Sequence, residues 1–177
     1  MTDIRIRNAT RDDIAAVAAI YRPAVVEGTA SFELEPPDEA EMARRFCTIT
    51  EAGFPYLVAI DAGSTVIGYG YVSRYRPRPA YRFSVENSVY VAPEAKRRGV
   101  GRVLLAALIE HCTAQGARQM IAVIGDPAQQ AASIGLHRSM GFVSCGTIRS
   151  VGYKHGRWLD GLILQRALGS GDTTPGA

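Results

Sequence analysis

One short stretch constrains this chain more than any other: Lys96-Arg97-Arg98-Gly99-Val100-Gly101-Arg102. It follows an apolar run, Ser88 to Val91, and precedes a helical pattern, Val103 to His111. The order is strand, basic glycine loop, helix, and it makes an anion site. Glycines let the backbone approach a ligand closely, and the free N–H groups of a first helical turn point outward at it. Three consecutive cations add charge suited to a polyphosphate. The loop lacks the Gly-Lys-Ser/Thr ending of a P-loop and the G-x-G-x-x-G spacing of a dinucleotide fold. The plain alternative is a solvated basic helix start.

Composition narrows the classes. A length of 177 residues fits one domain, and 47 % hydrophobic residues suffice for a core. The net charge of +3 is small for a nucleic-acid binder. The second basic cluster, Arg74, Arg76, Arg78 and Arg82, alternates with Tyr75, Pro77, Pro79 and Tyr81, and no recognition-helix or RNA-binding signature accompanies it. Cys47, Cys112 and Cys145 are scattered and fit no metal spacing. Neither a signal peptide nor a membrane-length apolar run is seen. The expectation is a cytoplasmic protein with free thiols, no metal, and neither nucleic acid nor membrane as partner.

Periodicity orders the elements. Ile4 to Arg7 alternates as a strand, and Thr10 to Asp13 resembles a capping box opening a helix with Ile14, Val17, Ala18 and Tyr21 on its apolar face. Pro23 is expected to end or kink that helix. A loop, 27–37, holds Thr29, Ser31, Phe32 and Glu33; Asp38 then opens a second helix to about Ala52. Strands are expected at Tyr56–Ile60, Thr65–Tyr75, Phe83–Val91, Gln119–Ile124, Val143–Val151 and Leu159–Arg166. The third and fourth helices are a run to about Gln115, stopped by Gly116, and Gln130–Met140, stopped by Gly141. Residues 169–177, rich in Gly, Ser and Thr, read as a flexible tail after a single domain, 1–168. The order implies an α/β or α+β sheet with helices on its faces.

The loop spacing resembles the pyrophosphate loop of the GNAT N-acetyltransferases, which hold acetyl-CoA. Gln130 through Phe142 (QAASIGLHRSMGF) resembles their second cofactor-side motif, and Thr29-Ala30-Ser31-Phe32-Glu33 occupies the loop where substrate docks. Tyr81 through Val91 (YRFSVENSVYV) and Gly152 through Asp160 (GYKHGRWLD) are similar to the phosphinothricin and methionine sulfone/sulfoximine acetyltransferase subfamily. The resemblance implies the GNAT fold: a mixed, mostly antiparallel sheet of about seven strands flanked by about four helices. It also implies a homodimer. Two positions depart from the subfamily pattern. Gln130 stands where Asn usually contacts the coenzyme arm, after a connection one residue longer, and Lys96 opens the loop in place of Arg or Gln.

The implied reaction is acetyl transfer from acetyl-CoA to the α-amino group of phosphinothricin, methionine sulfoximine or methionine sulfone, within a ternary complex. Its rivals are transfer to another amine, such as a polyamine or a protein N-terminus, and a silent acyl-CoA-binding module. An ammonium must lose its proton before it attacks, so a base is needed. Glu86 stands on an otherwise apolar strand at the position the resemblance gives to the base; the alternative is an outward Glu paired with Arg82 or Arg74. The backbone of Val89, Tyr90 and Val91 can pair with pantetheine as an added strand does, and one N–H can meet the oxyanion. Arg97, Arg98, Gly99, Val100, Gly101 and Arg102, with Gln130 and Ser133, complete the expected cofactor contacts. His137 is either the acid for the leaving thiolate, a group that orients the sulfur, or structural. The expected acceptor contacts are Phe32, Arg76, Pro77, Arg78, Glu86, Asn87, Ser88 and Tyr153, with Lys154 and Trp158 in the same segment as Tyr153. A guanidinium fork suits a carboxylate, phosphinate or sulfone oxygen.

Overall fold

A computed structural model describes residues 4–176. Seven strands form one sheet: β1 (Arg5–Asn8), β2 (Tyr56–Ile60), β3 (Val66–Arg74), β4 (Ser84–Val91), β5 (Gln119–Gly125), β6 (Val143–Lys154) and β7 (Arg157–Ala167). Their spatial order is β1-β2-β3-β4-β5-β7-β6. Only β4 and β5 run parallel; every other neighbouring pair is antiparallel. Four α-helices flank the sheet: α1 (Ile14–Val26), α2 (Glu39–Glu51), α3 (Val100–Ala114) and α4 (Ala131–Ser139). The mixed sheet and four helices agree with the expected GNAT fold.

The faces are set by residue type. All five residues of β2 are buried, which is why Tyr56-Leu57-Val58-Ala59-Ile60 is a continuous apolar run rather than an alternation. On β3, Gly68 and Gly70 face α3. A Cβ on Gly68 would lie 2.8 Å from Val100 Cγ1, and one on Gly70 would lie 3.0 Å from Leu108 Cδ1. The helix therefore packs close against the sheet, and Leu104, Leu105 and Leu108 are fully buried. The alternate residues, Tyr69 and Tyr71, face the other way. There Tyr69 stacks on Tyr90 at 5.2 Å, and Tyr90 meets Tyr21 of α1 edge-on at 4.9 Å.

Three places refine the boundaries expected from periodicity. Helix α1 passes through Pro23 and continues to Val26. The carbonyl that Pro23 leaves without its helical donor is that of Ala19, an exposed residue, where water can replace the missing N–H. Strand β6 runs three residues further than its periodicity indicated and β7 starts two residues earlier, so the two meet in a two-residue turn. His155 (φ 50°) and Gly156 (φ 73°) form it, both in the left-handed region that a tight hairpin requires. Residues 169–176, expected as a flexible tail, form turns against the domain. Arg118 Nη2 donates to the Thr174 hydroxyl at 2.6 Å and the Pro175 carbonyl at 3.0 Å.

Candidate active site

The site begins where two strands part. β4 and β5 pair only over Ser84–Glu86 and Gln119–Ile121. Beyond Glu86, β4 continues against β3 alone and β5 against β7 alone. The open flank of Asn87 to Val91 thus carries backbone groups with no strand partner, facing a wedge. A cleft of about 120 Å³ occupies it. Asn87 to Tyr90 form one wall and Ala122 to Gly125 the other, with Gln130, Ser133 and His137 of the α4 region at its end. A peptide-like arm fits such a wedge because it can supply the missing strand.

The basic loop lies at the mouth of the wedge. A short turn, Pro93–Ala95, leads into exposed Lys96, Arg97 and Arg98. Arg97 (φ 61°) and Gly99 (φ 86°) are left-handed, and this bend turns the chain into α3. A Cβ on Gly99 would meet nothing, so glycine is needed there for its conformation. Gly101 has a different reason: a Cβ would lie 3.1 Å from Leu136 Cδ2, where α3, α4 and β4 converge. The N–H groups of Arg102 and Val103 both reach the Gly99 carbonyl, at 3.0 and 3.2 Å, and those of Val100 and Gly101 remain available by helix geometry. The fit to a diphosphate therefore rests on the free N–H groups, the helix dipole and the exposed cations together.

Glu86 stands at the parting of the strands. Burial raises its carboxyl above the ordinary 4.5, and Arg76 pulls part of that shift back. Of the two partners considered for it, Arg82 lies 4.3 Å over the Phe83 ring, and Arg74 is opposite Val85, on the other face of the sheet. Glu86 is opposite Ser73 of β3, and Ser88 is opposite Tyr71, so these four side chains share the tyrosine face of the sheet. A pocket of about 430 Å³ opens there, lined by Tyr21, Arg45, Tyr56, Tyr69, Tyr71 and Ser73 among others. Sequence reasoning missed this pocket. Its signal in the sequence is the alternation Tyr69, Tyr71, Ser73, which puts all three on one face of β3. Arg76, Pro77 and Arg78 are exposed and, with Tyr75 and Tyr81, border a neighbouring cleft of about 390 Å³.

Asn87 faces the opposite side, away from Glu86 and Ser88. Its Nδ2 lies 3.0 Å from His137 Nε2, and His137 Nδ1 lies 2.8 Å from the Ser133 carbonyl. A carbonyl only accepts, so Nδ1 carries the proton and Nε2 is a bare acceptor. His137 is 3 % exposed, and burial lowers its pKa below 6.5. Asn87 Oδ1 is the one buried side-chain polar atom without a partner among the described residues.

Phe32 sits on the α1–α2 loop with its ring against two backbones. A Cβ on Gly125 would lie 2.7 Å from the ring, and one on Gly152 would lie 2.5 Å from it. Tyr153 is not brought into either cleft. It is 57 % exposed and packs edge-on against Trp158, itself 64 % exposed.

An acetyltransferase (GNAT) domain matches residues 6–163. The chain belongs to the GNAT acetyltransferase family. This GNAT acetyltransferase is 50 % identical over 169 residues to phosphinothricin N-acetyltransferase of Alcaligenes faecalis, covering 96 % of this chain and 85 % of that one. It is 43 % identical over 160 residues to the L-methionine sulfoximine/L-methionine sulfone acetyltransferase of Pseudomonas aeruginosa, covering 90 % and 92 %. Among solved structures, a phosphinothricin acetyltransferase from Sinorhizobium meliloti in complex with AcCoA superposes with a TM-score of 0.95 at 49 % identity. That superposition covers 98 % of this chain and 93 % of the other.

Proposed function

We propose that this enzyme transfers the acetyl group of acetyl-CoA to the α-amino group of a small amino acid with a polar tetrahedral head. Phosphinothricin, methionine sulfoximine and methionine sulfone are the acceptors in mind. One observation carries the reading: a half-buried carboxylate, Glu86, stands where β4 leaves β5, with Arg76 as its charged neighbour. Burial strengthens Glu86 as a base, which suits removal of a proton from an ammonium.

The chemistry follows from the two faces. The diphosphate of the coenzyme meets Arg97, Arg98, Arg102 and the N–H groups at the start of α3, and its amide arm pairs with Val89 to Val91. Glu86 takes the acceptor's proton, directly or through water. The neutral amine attacks the thioester carbonyl and a β4 N–H meets the charge gathering on its oxygen; the C–S bond then breaks as the surplus proton on the attacking nitrogen passes to the sulfur, directly or through water, leaving the amide and coenzyme A as a thiol. Transfer is direct, with no covalent intermediate on the enzyme and no metal. His137 holds no proton on the nitrogen directed at Asn87, so its role is to orient rather than to supply the acid. Arg76 and Arg78 read the acceptor's carboxylate or its polar head. Thiol release with a panel of amino acids, a polyamine and a peptide N-terminus tests the assignment; amino acids with a sulfone, sulfoximine or phosphinate head should turn over fastest.

The working unit is a homodimer in the cytoplasm. β6 is an edge strand, almost wholly exposed, and Val143, Ile148, Val151, Tyr153 and Trp158 form exposed apolar surface on the β6–β7 hairpin. A second copy would cover that edge and bring Tyr153 toward a site. The three cysteines are unpaired, as in a reducing compartment. Light scattering on the eluting protein should give twice the mass of the chain.

A further inference from the structure

Lys154 has no part in the chemistry above, yet it is 4 % exposed. Its Nζ donates to the Ser31 carbonyl at 2.8 Å. Burying an ammonium is costly, and an apolar residue would occupy the place at less expense to folding. What the ammonium holds is a junction. Ser31 Oγ lies 2.7 Å from the Tyr21 hydroxyl, and that hydroxyl lies 2.9 Å from Glu33 Oε1. Arg45 Nη1 donates to the same oxygen at 2.6 Å. Burial pulls the Lys154 pKa down and Glu33 pulls it back up.

The hairpin that bears Lys154 also supports the neighbouring side chain. Gly152 and Lys154 lie on one face of β6, two residues apart. Gly152 makes room for the Phe32 ring while Lys154 fastens the residue before it. The rest of the loop is tied to the same hairpin. His155 Nε2 lies 3.3 Å from the Gly28 carbonyl. Thr29 Oγ1 donates to Asp126 Oδ2 at 2.7 Å, and Arg157 pairs with that carboxylate. The loop thus spans from the α1–α2 side of the molecule to the β6–β7 hairpin, across the end of the cleft.

We propose that Lys154 is a positioning residue for acceptor binding, its ammonium latching the 29–33 loop so that Phe32 is held against Gly125 and Gly152. This rests on the reading that the loop borders the acceptor. Lys154 touches no reactant and acts through the Ser31 carbonyl.

The test compares wild type, Lys154→Met and Lys154→Arg in two measurements: hydrogen exchange over residues 27–35 and the KM of each substrate, with methionine sulfone as acceptor. Lys154→Met should speed exchange in the loop and leave α3 unchanged. It should raise the acceptor KM, at most about tenfold to hundredfold, the full worth of one charged hydrogen bond if the loop passes all of it on, while the acetyl-CoA KM stays within about twofold. Lys154→Arg should recover part of the acceptor KM. Unchanged loop exchange overturns the latch itself. A loosened loop with an unchanged acceptor KM overturns the proposal by showing that the loop does not border the acceptor. Equal rises in both KM values overturn a role specific to the acceptor. If Lys154→Met does not fold, Lys154→Gln is read in its place; failure of both to fold makes Lys154 a residue of the fold alone and overturns the proposal.

Discussion

Asn87 and His137, fifty positions apart in sequence, meet at 3.0 Å on the face of β4 opposite Glu86. With Nδ1 committed to the Ser133 carbonyl, His137 is neutral and its Nε2 accepts from Asn87. Glu86 and the imidazole of His137 therefore lie on opposite faces of β4.

The neutral state of His137 is open to NMR titration. In wild type its pKa should fall below the ordinary 6.5, because burial disfavours the imidazolium. The linkage sign is definite. The unfolded chain takes up this proton more readily, so the contribution to stability is complete above pH 6.5 and is lost as pH falls. Asn87→Asp would set a carboxylate against Nε2 and should raise the pKa above the wild-type value. A wild-type midpoint above 6.5 would contradict a buried imidazole held neutral.

Glu86→Gln should lower turnover by about 10²–10⁴ and leave acetyl-CoA affinity nearly intact. Part of the loss should return at high pH, where more acceptor amine is neutral. In wild type the acid limb of kcat/KM should lie above the ordinary carboxylate value of 4.5, because burial raises this group. Wild-type turnover by the variant at pH 7 would make Glu86 structural.

Arg76→Ala should have two separable effects. Removing the cation beside Glu86 should move the acid limb to still higher pH, since Arg76 is what holds that carboxyl down. It should also raise the acceptor KM, about tenfold to hundredfold for one charged hydrogen bond, with little change for acetyl-CoA. If neither moves, the loop of Arg76 and Arg78 is a solvated surface.

Arg98→Glu should weaken acetyl-CoA binding measured by calorimetry, since it sets a negative charge beside the diphosphate. The lost contact is worth roughly 1.5–3 kcal/mol before the added repulsion. Equal affinity in a folded variant would remove the loop from the site.

Much of this was readable along the chain because it is local. The strand, the left-handed Gly99 and the helix after it lie within one short stretch, and of that motif only Gly101 answers to a distant partner, Leu136. Other features depend on distant partners. Between ending and kinking α1 at Pro23, the sequence does not choose, because the choice turns on whether the Ala19 carbonyl is exposed, which is a tertiary property. The hairpin tip was missed because His155 takes a positive φ usually left to Asn, Asp or Gly. The parting of β4 from β5 cannot be seen in either strand alone, and neither can the opposite directions of Glu86 and Asn87 relative to the cleft. Lys154 lies in the segment assigned to the acceptor, but its burial comes from a contact with Ser31 that the segment itself does not show. Tyr153 belongs to a matching motif, yet within one chain it lies outside both clefts.

The most direct test compares thiol release from acetyl-CoA with methionine sulfone and with its decarboxylated amine. If Arg76 and Arg78 read an amino acid while Glu86 removes its proton, kcat/KM should favour methionine sulfone by about tenfold or more, the worth of one charged hydrogen bond. Equal kcat/KM for the two, or no thiol release with methionine sulfone, would contradict an amino-acid N-acetyltransferase.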